Sequence, residues 1–149
     1  MSKLLEKVDF ELFKKQFADI DEKKLAKLEK NIIFLYEETV EIVQRLIERG
    51  FTEDYKGIVA KEWILFITQM MPKIEKVRGV KVGKDKLELL ISFAIFIIIK
   101  SLPIDPALKE VLIIIIKEFI PEIADAIIFA SKNMHTFGSW LKKKCKCTS

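Results

Sequence analysis

The sequence predicts an all-α protein: a single-domain bundle of five to six helices around a central hydrophobic helical hairpin. Three observations predict it. Half of the 149 residues are hydrophobic and 32% are charged, with only five Gly and four Pro. That balance suits amphipathic helices and leaves too few breakers for a loop-rich chain. The apolar residues recur at steps of three and four, the period of a helix face. The length suffices for one core that folds unaided.

The elements follow in order. Leu4, Leu5, Val8, Leu12, Phe13 and Phe17 predict a short amphipathic helix, and residues 1–20 read as an N-terminal arm. Asp21 is placed to cap the next helix, with Glu22 in the first turn where the helix dipole favours negative charge. Leu25, Leu28, Ile32, Leu35, Thr39, Ile42 and Leu46 then alternate threes and fours. Ile33, Tyr36, Val40, Val43 and Ile47 form a second row one position on. Two adjacent rows make the wide stripe of a helix packed on two neighbours. They predict one long helix over residues 21–49, closed by Gly50, with Arg45 and Arg49 in its last turns.

Thr52 is expected to cap a third helix, with Glu53 and Asp54 in its first turn. Tyr55, Ile58, Val59, Trp63, Phe66, Ile67, Met70 and Met71 supply its apolar face, read as core and not as a cofactor box. Pro72 lacks a donor N–H and is expected to kink or break it. Gly79-Val80-Lys81-Val82-Gly83 reads as a hinge loop. Asp85 is expected to cap a fourth helix running to Ser101, apolar almost all round from Leu89 to Ile99 and therefore central. Leu102-Pro103-Ile104-Asp105-Pro106 stops that helix and starts the next, with Asp105 as cap and Pro106 in the first turn. Leu108, Val111, Leu112, Ile115 and Phe119 are read as its inner face. Pro121 is expected to open or kink a sixth stretch carrying Ile123, Ala124, Ile127, Ile128 and Ala130. The bundle thus covers residues 21–132, and 133–149 form a basic tail.

The apolar runs at residues 89–99 and 111–116 fall short of the roughly 20 residues a spanning helix needs. Charged neighbours bound both, so they read as core. The first residues lack the apolar stretch of a secretory signal. With only Cys145 and Cys147, the chain reads as made in a reducing cytosol and free of a disulfide framework.

Chemistry finds little footing. The one histidine, His135, has no nucleophile or orienting group implied beside it. Glu37-Glu38 and Glu53-Asp54 are adjacent in sequence, so their side chains diverge on a helix. The glycines around Val80-Lys81-Val82 match neither a phosphate loop nor a dinucleotide fingerprint. Cys145, Cys147 and His135 offer three ligands where structural zinc takes four. No catalytic residue, cofactor or metal is therefore assigned, and the chain is read as a non-enzyme.

The tail carries the one site expectation. Phe137 and Trp140 precede Lys142, Lys143, Lys144, Cys145, Lys146 and Cys147. Aromatic anchors beside a lysine run suit docking on an anionic membrane surface. Acylation of the cysteines would add a second anchor. The 26 basic and 22 acidic residues leave a net charge of +4, mostly interleaved. Only Arg45, Arg49 and Arg78 are arginine, and that lysine bias argues against specific nucleic-acid reading.

One stretch has a counterpart. Met70-Met71-Pro72 with Ile74-Glu75-Lys76-Val77 leads into Gly83-Lys84-Asp85-Lys86-Leu87-Glu88-Leu89. Leu102-Pro103-Ile104-Asp105, Ile120-Pro121-Glu122-Ile123-Ala124-Asp125-Ala126-Ile127 and Ala130-Ser131-Lys132 follow. Residues 70–132, a little under half the chain, are similar to small all-helical proteins of large nucleocytoplasmic DNA viruses of the iridovirus and chlorovirus kind. The resemblance implies a viral structural or accessory protein without chemistry, such as a minor capsid-associated virion component. Its expected partners are capsid or scaffold neighbours, or further copies of itself, in the virion or the host cytoplasm. The alternatives are a host-interacting bundle of the Bcl-2 kind, although no Asn-Trp-Gly-Arg motif is present, and a non-specific nucleic-acid-binding accessory protein.

Overall fold

A computed structural model describes residues 7–17, 20–80 and 83–130. Six helices follow one another: α1 (Lys7–Lys15), α2 (Glu22–Glu38), α3 (Val40–Arg49), α4 (Ala60–Glu75), α5 (Gly83–Ser101) and α6 (Pro106–Ala130). Among the described residues the one β feature is an isolated bridge between Phe51 and Ile58. The all-α bundle is as expected. At its centre, α5 touches each of the other five helices and pairs most extensively with α6. Leu89, Leu90 and every residue from Ser92 to Ile99 are buried, so α5 has almost no solvent side along that stretch. A helix apolar around its whole circumference is stable in water only when neighbours cover all of it.

Aromatic rings fill the space around α5. Phe51, Trp63 and Phe66 meet edge to face, at centroid distances of 5.8 and 5.5 Å, and Phe66 stacks on Phe93 at 6.3 Å. One turn further along α5, Phe13 and Tyr36 both approach Phe96 edge-on. Met70 and Met71 are fully buried, in keeping with a core role.

Several boundaries differ from the sequence expectation. The long helix over residues 21–49 is interrupted at Thr39 (φ −128°, ψ 34°). The buried Thr39 hydroxyl donates to the carbonyl of Leu35 at 2.6 Å, a back-bond that bends helices. Beyond the break the buried row passes from Thr39 to Val43, not to Ile42. The third helix begins at Ala60, because residues 51–59 fold into a tight turn of their own. There Thr52 N–H bonds Gly57 O, the Thr52 hydroxyl bonds Asp54, and Tyr55 takes a positive φ of 56°.

Pro72, expected to kink or break its helix, and Pro121, expected to open or kink one, both lie inside helices, so neither ends its helix. Pro72 falls in the last turn of α4, and the carbonyl it leaves without a donor belongs to the exposed Thr68, open to water. Pro121 is bracketed by Ile116, Ile120 and Ala124, whose continuous burial holds α6 together through the lost bond. The fifth and sixth stretches are therefore one helix. Asp85 lies in the first turn of α5, which starts earlier, at Gly83. Asp105 does cap α6, accepting from Leu108 N–H at 2.9 Å.

Candidate functional site

Among the described residues, α6 carries three of the six exposed large apolar side chains, Val111, Ile114 and Phe129; Phe34, Val40 and Ile64 lie singly on α2, α3 and α4. Leu112, Ile113, Ile116, Ile120 and Ala124 face inward and are buried. Val111 is 44% exposed and Ile114 60%. These two are one turn apart on a single face, continuous with exposed Ala107 and half-buried Leu108 and Ile115. Phe129, at 78% exposure, lies on the same side nearer the end of the helix. The reading of Val111 as an inner-face residue is corrected: it points outward.

Charge on α6 is sorted by direction. Its two lysines turn toward α1. Lys109 is buried beside Asp9 at 3.6 Å, and half-buried Lys117 donates to the side-chain and backbone oxygens of Gln16 at 3.1 Å. Burial pulls the Lys117 ammonium below the usual lysine range. Glu110 takes Lys15 of α1 at 2.9 Å. Glu118 and Glu122 project outward, exposed, and neither has an ion-pair partner among the described residues. The outer face of α6 therefore combines an apolar patch at Val111 and Ile114 with exposed negative charge one and two turns further on.

Two other concavities hold less. A hollow of about 110 Å³ between α2, the turn at Val80 and α5 is lined by Lys24, Lys27, Asn31, Asp85 and Glu88 among others. Lys27 there donates to the carbonyl of Gly79 at 3.2 Å, so the turn is fastened to α2. A second depression is lined by α3 residues alone, from Val40 to Arg49. Among the described residues no group of three or more His, Cys, Asp or Glu is placed to hold a metal ion. The carboxylates of Glu37, Glu38, Glu53 and Asp54 are exposed. Asp54 is occupied with the hydroxyl of Thr52 and the N–H of Lys56, and these bonds hold its carboxyl below the usual range.

No family model, curated protein or solved structure matches this chain. Among the described residues no helix is long and apolar enough to cross a membrane.

The expected docking residues Phe137, Trp140, Lys142, Lys143, Lys144, Cys145, Lys146 and Cys147, with His135, lie outside the described residues. What the structure adds is the outer patch of α6, which periodicity alone missed. Residues 111–116 are all apolar, so no inner face can be read from them. The usable signal was charge: Glu118 and Glu122, one and two turns past Ile114, mark the solvent side.

Proposed function

We propose that this chain is a non-enzymatic structural protein, a helical unit that attaches to neighbouring proteins through the outer face of α6. The observation that carries this reading is the exposure of Val111 and Ile114 on a helix whose opposite face is fully packed. Large apolar side chains left together on a surface mark attachment sites more often than isolated ones do. The basic, aromatic run from Phe137 to Cys147 supplies a second attachment, to an anionic surface. The similarity of residues 70–132 to small helical proteins of large DNA viruses makes a minor virion component, lying between shell and lipid, the role that best suits both surfaces.

A groove for a helical peptide has less support. The hollow beside α2 is small and ringed by Lys24, Lys27, Asp85 and Glu88, whereas such grooves are long and apolar. Fractionation of the native source tests the main reading. The chain is expected to travel with assembled particles, and V111K/I114K to be released from them while remaining helical. Recovery of the unaltered chain free of particles would overturn the proposal.

A further inference from the structure

α2 carries a stripe complementary to the outer face of α6. Lys23, Lys27, Lys30 and Phe34 recur at steps of four, three and four, so they share one side of the helix, and all four are exposed. Lys23 and Lys30 have no ion-pair partner among the described residues. Lys27 donates to the carbonyl of Gly79 and keeps donors to spare. On α6 the stripe runs from Val111 and Ile114 to Glu118 and Glu122, all exposed. One stripe passes from an aromatic anchor to lysines, the other from aliphatic anchors to glutamates.

The spacings agree when the two helices run antiparallel. Lys30 and Lys27 lie about 6 and 10.5 Å from Phe34 toward the start of α2, at about 1.5 Å per residue. Glu118 and Glu122 lie about 6 and 12 Å from Ile114 toward the end of α6. Phe34 set on Ile114 therefore brings Lys30 level with Glu118, while Lys27 and Lys23 bracket Glu122. Glu37 falls level with Val111, at the rim of the contact. A parallel pairing would set Glu38 against Glu118, and two α6 faces would bring together only apolar groups and carboxylates.

Within one molecule these stripes do not meet. Leu25, Leu28, Ile32 and Leu35 are buried on the opposite side of α2, which packs along α5, and α6 packs on α5 likewise. α2 runs parallel to α5, Lys24 meeting Glu88 and Tyr36 meeting Phe96. α6 runs back along α5 from the bond between Lys109 and Ile99. The two helices are thus already antiparallel inside the chain, so antiparallel docking between molecules leaves successive copies pointing the same way.

We propose that the outer face of α6 docks antiparallel on the α2 stripe of a second copy, with Phe34 on the Val111–Ile114 patch and Lys30 and Lys27 facing Glu118 and Glu122. This names the partner of the attachment surface described above and rests on that reading. A contact between two different faces leaves one of each free, so it propagates into a ring or an open row and does not stop at a dimer. Exposed ion pairs are weak singly and screened by salt, so the association depends on both concentration and ionic strength.

Sedimentation velocity of the reduced full-length chain tests this, with circular dichroism reporting helicity. At low salt the mean mass is expected to rise above 17.3 kDa as concentration increases. It is expected to fall back at about 1 M salt, where the screening length is about 3 Å. F34K, K23E/K30E and E118K/E122K are each expected to remain monomeric with unchanged helicity. Mixing K23E/K30E with E118K/E122K is expected to restore association, because the acidic faces of one variant meet the basic faces of the other. An unaltered chain that stays monomeric at low salt overturns the proposal, and so does a mixture that fails to associate. Association that K23E/K30E leaves intact overturns it in favour of another contact, such as α6 on α6. A monomeric chain whose V111K/I114K variant is still released from particles overturns the self-docking alone and leaves attachment through α6 standing.

Discussion

Lys109 donates a 2.6 Å hydrogen bond from its buried ammonium to the carbonyl oxygen of Ile99 in the last turn of α5. The residue four positions after Ile99 is Pro103, which has no N–H to offer. The lysine replaces the donor that proline removes, and so clamps the two arms of the hairpin. Replacing Lys109 by Met keeps the length of the side chain and strands the carbonyl. Loss of about 1–3 kcal/mol is expected, read from urea denaturation; an unchanged midpoint would show that water supplies the missing bond.

Lys86 and Glu75 form a buried pair, with Nζ at 3.0 Å from both carboxylate oxygens. It joins the last turn of α4 to the first turns of α5. K86M leaves a carboxylate in a largely dry site, at a cost of about 3–5 kcal/mol. K86M/E75L removes both charges and is expected to recover much of that loss, which a double-mutant cycle measures.

Acid sensitivity resides partly at Glu62. Its hydrogen bond with Arg45, at 2.8 Å, holds the carboxyl below its ordinary value of 4.5. The Thr52 hydroxyl does the same for Asp54, whose ordinary value is 3.8. A carboxyl lowered in the folded state contributes stability above its ordinary value, lost as pH falls through the lowered one. Thermal midpoints are therefore expected to drop on that acid limb, and less steeply in E62Q. Asp54 is exposed and Glu62 pairs with an exposed arginine, so the effect is modest. Lys117 works in the opposite range: its lowered value means stability rises as pH climbs toward 10.5.

Gly50 closes α3 and is enclosed by bonds. Its N–H reaches Leu46 O at 2.7 Å, and its carbonyl accepts both Val59 N–H and the Trp63 indole N–H at 2.8 Å. W63F removes one of those donors and is expected to cost about 1–2 kcal/mol. A Cβ at Gly50 would stand 2.5 Å from Leu46 O, so G50A forces the chain to move and costs about 1–3 kcal/mol. Guanidinium titrations of the two variants read both losses.

The two sides of α6 are expected to respond differently to substitution. V111K and I114K change stability by no more than about 0.5 kcal/mol. L112A and I113A, one or two positions away, cost about 2–5 kcal/mol each. Equal losses on both sides would place the apolar patch inside the fold, against the exposure seen here.

The bundle and its central helix were legible because Leu89 to Ile99 is apolar at every position but Ser92, a pattern only a fully surrounded helix satisfies. Asp105 and Pro106 were legible because cap and first-turn chemistry is local. Thr39 was not, since its effect depends on burial that turns the hydroxyl back onto Leu35. Whether Pro72 and Pro121 end their helices or stay inside them was not legible either, because local breaking power yields where packing continues on both sides. The turn at residues 51–59 was hidden by Thr52, Glu53 and Asp54, which resemble a helix start yet serve a hydrogen-bonded loop. The α6 patch was hidden by the unbroken apolar run at residues 111–116, and only Glu118 and Glu122 beyond it marked the outer side.

Enclosure of α5 by all five neighbours has a consequence for how the molecule comes apart. No partial opening of a single outer element frees the amides of residues 92–99 to solvent. Their hydrogen–deuterium exchange should proceed only through rupture of the entire assembly, giving one shared, slowest rate along that segment.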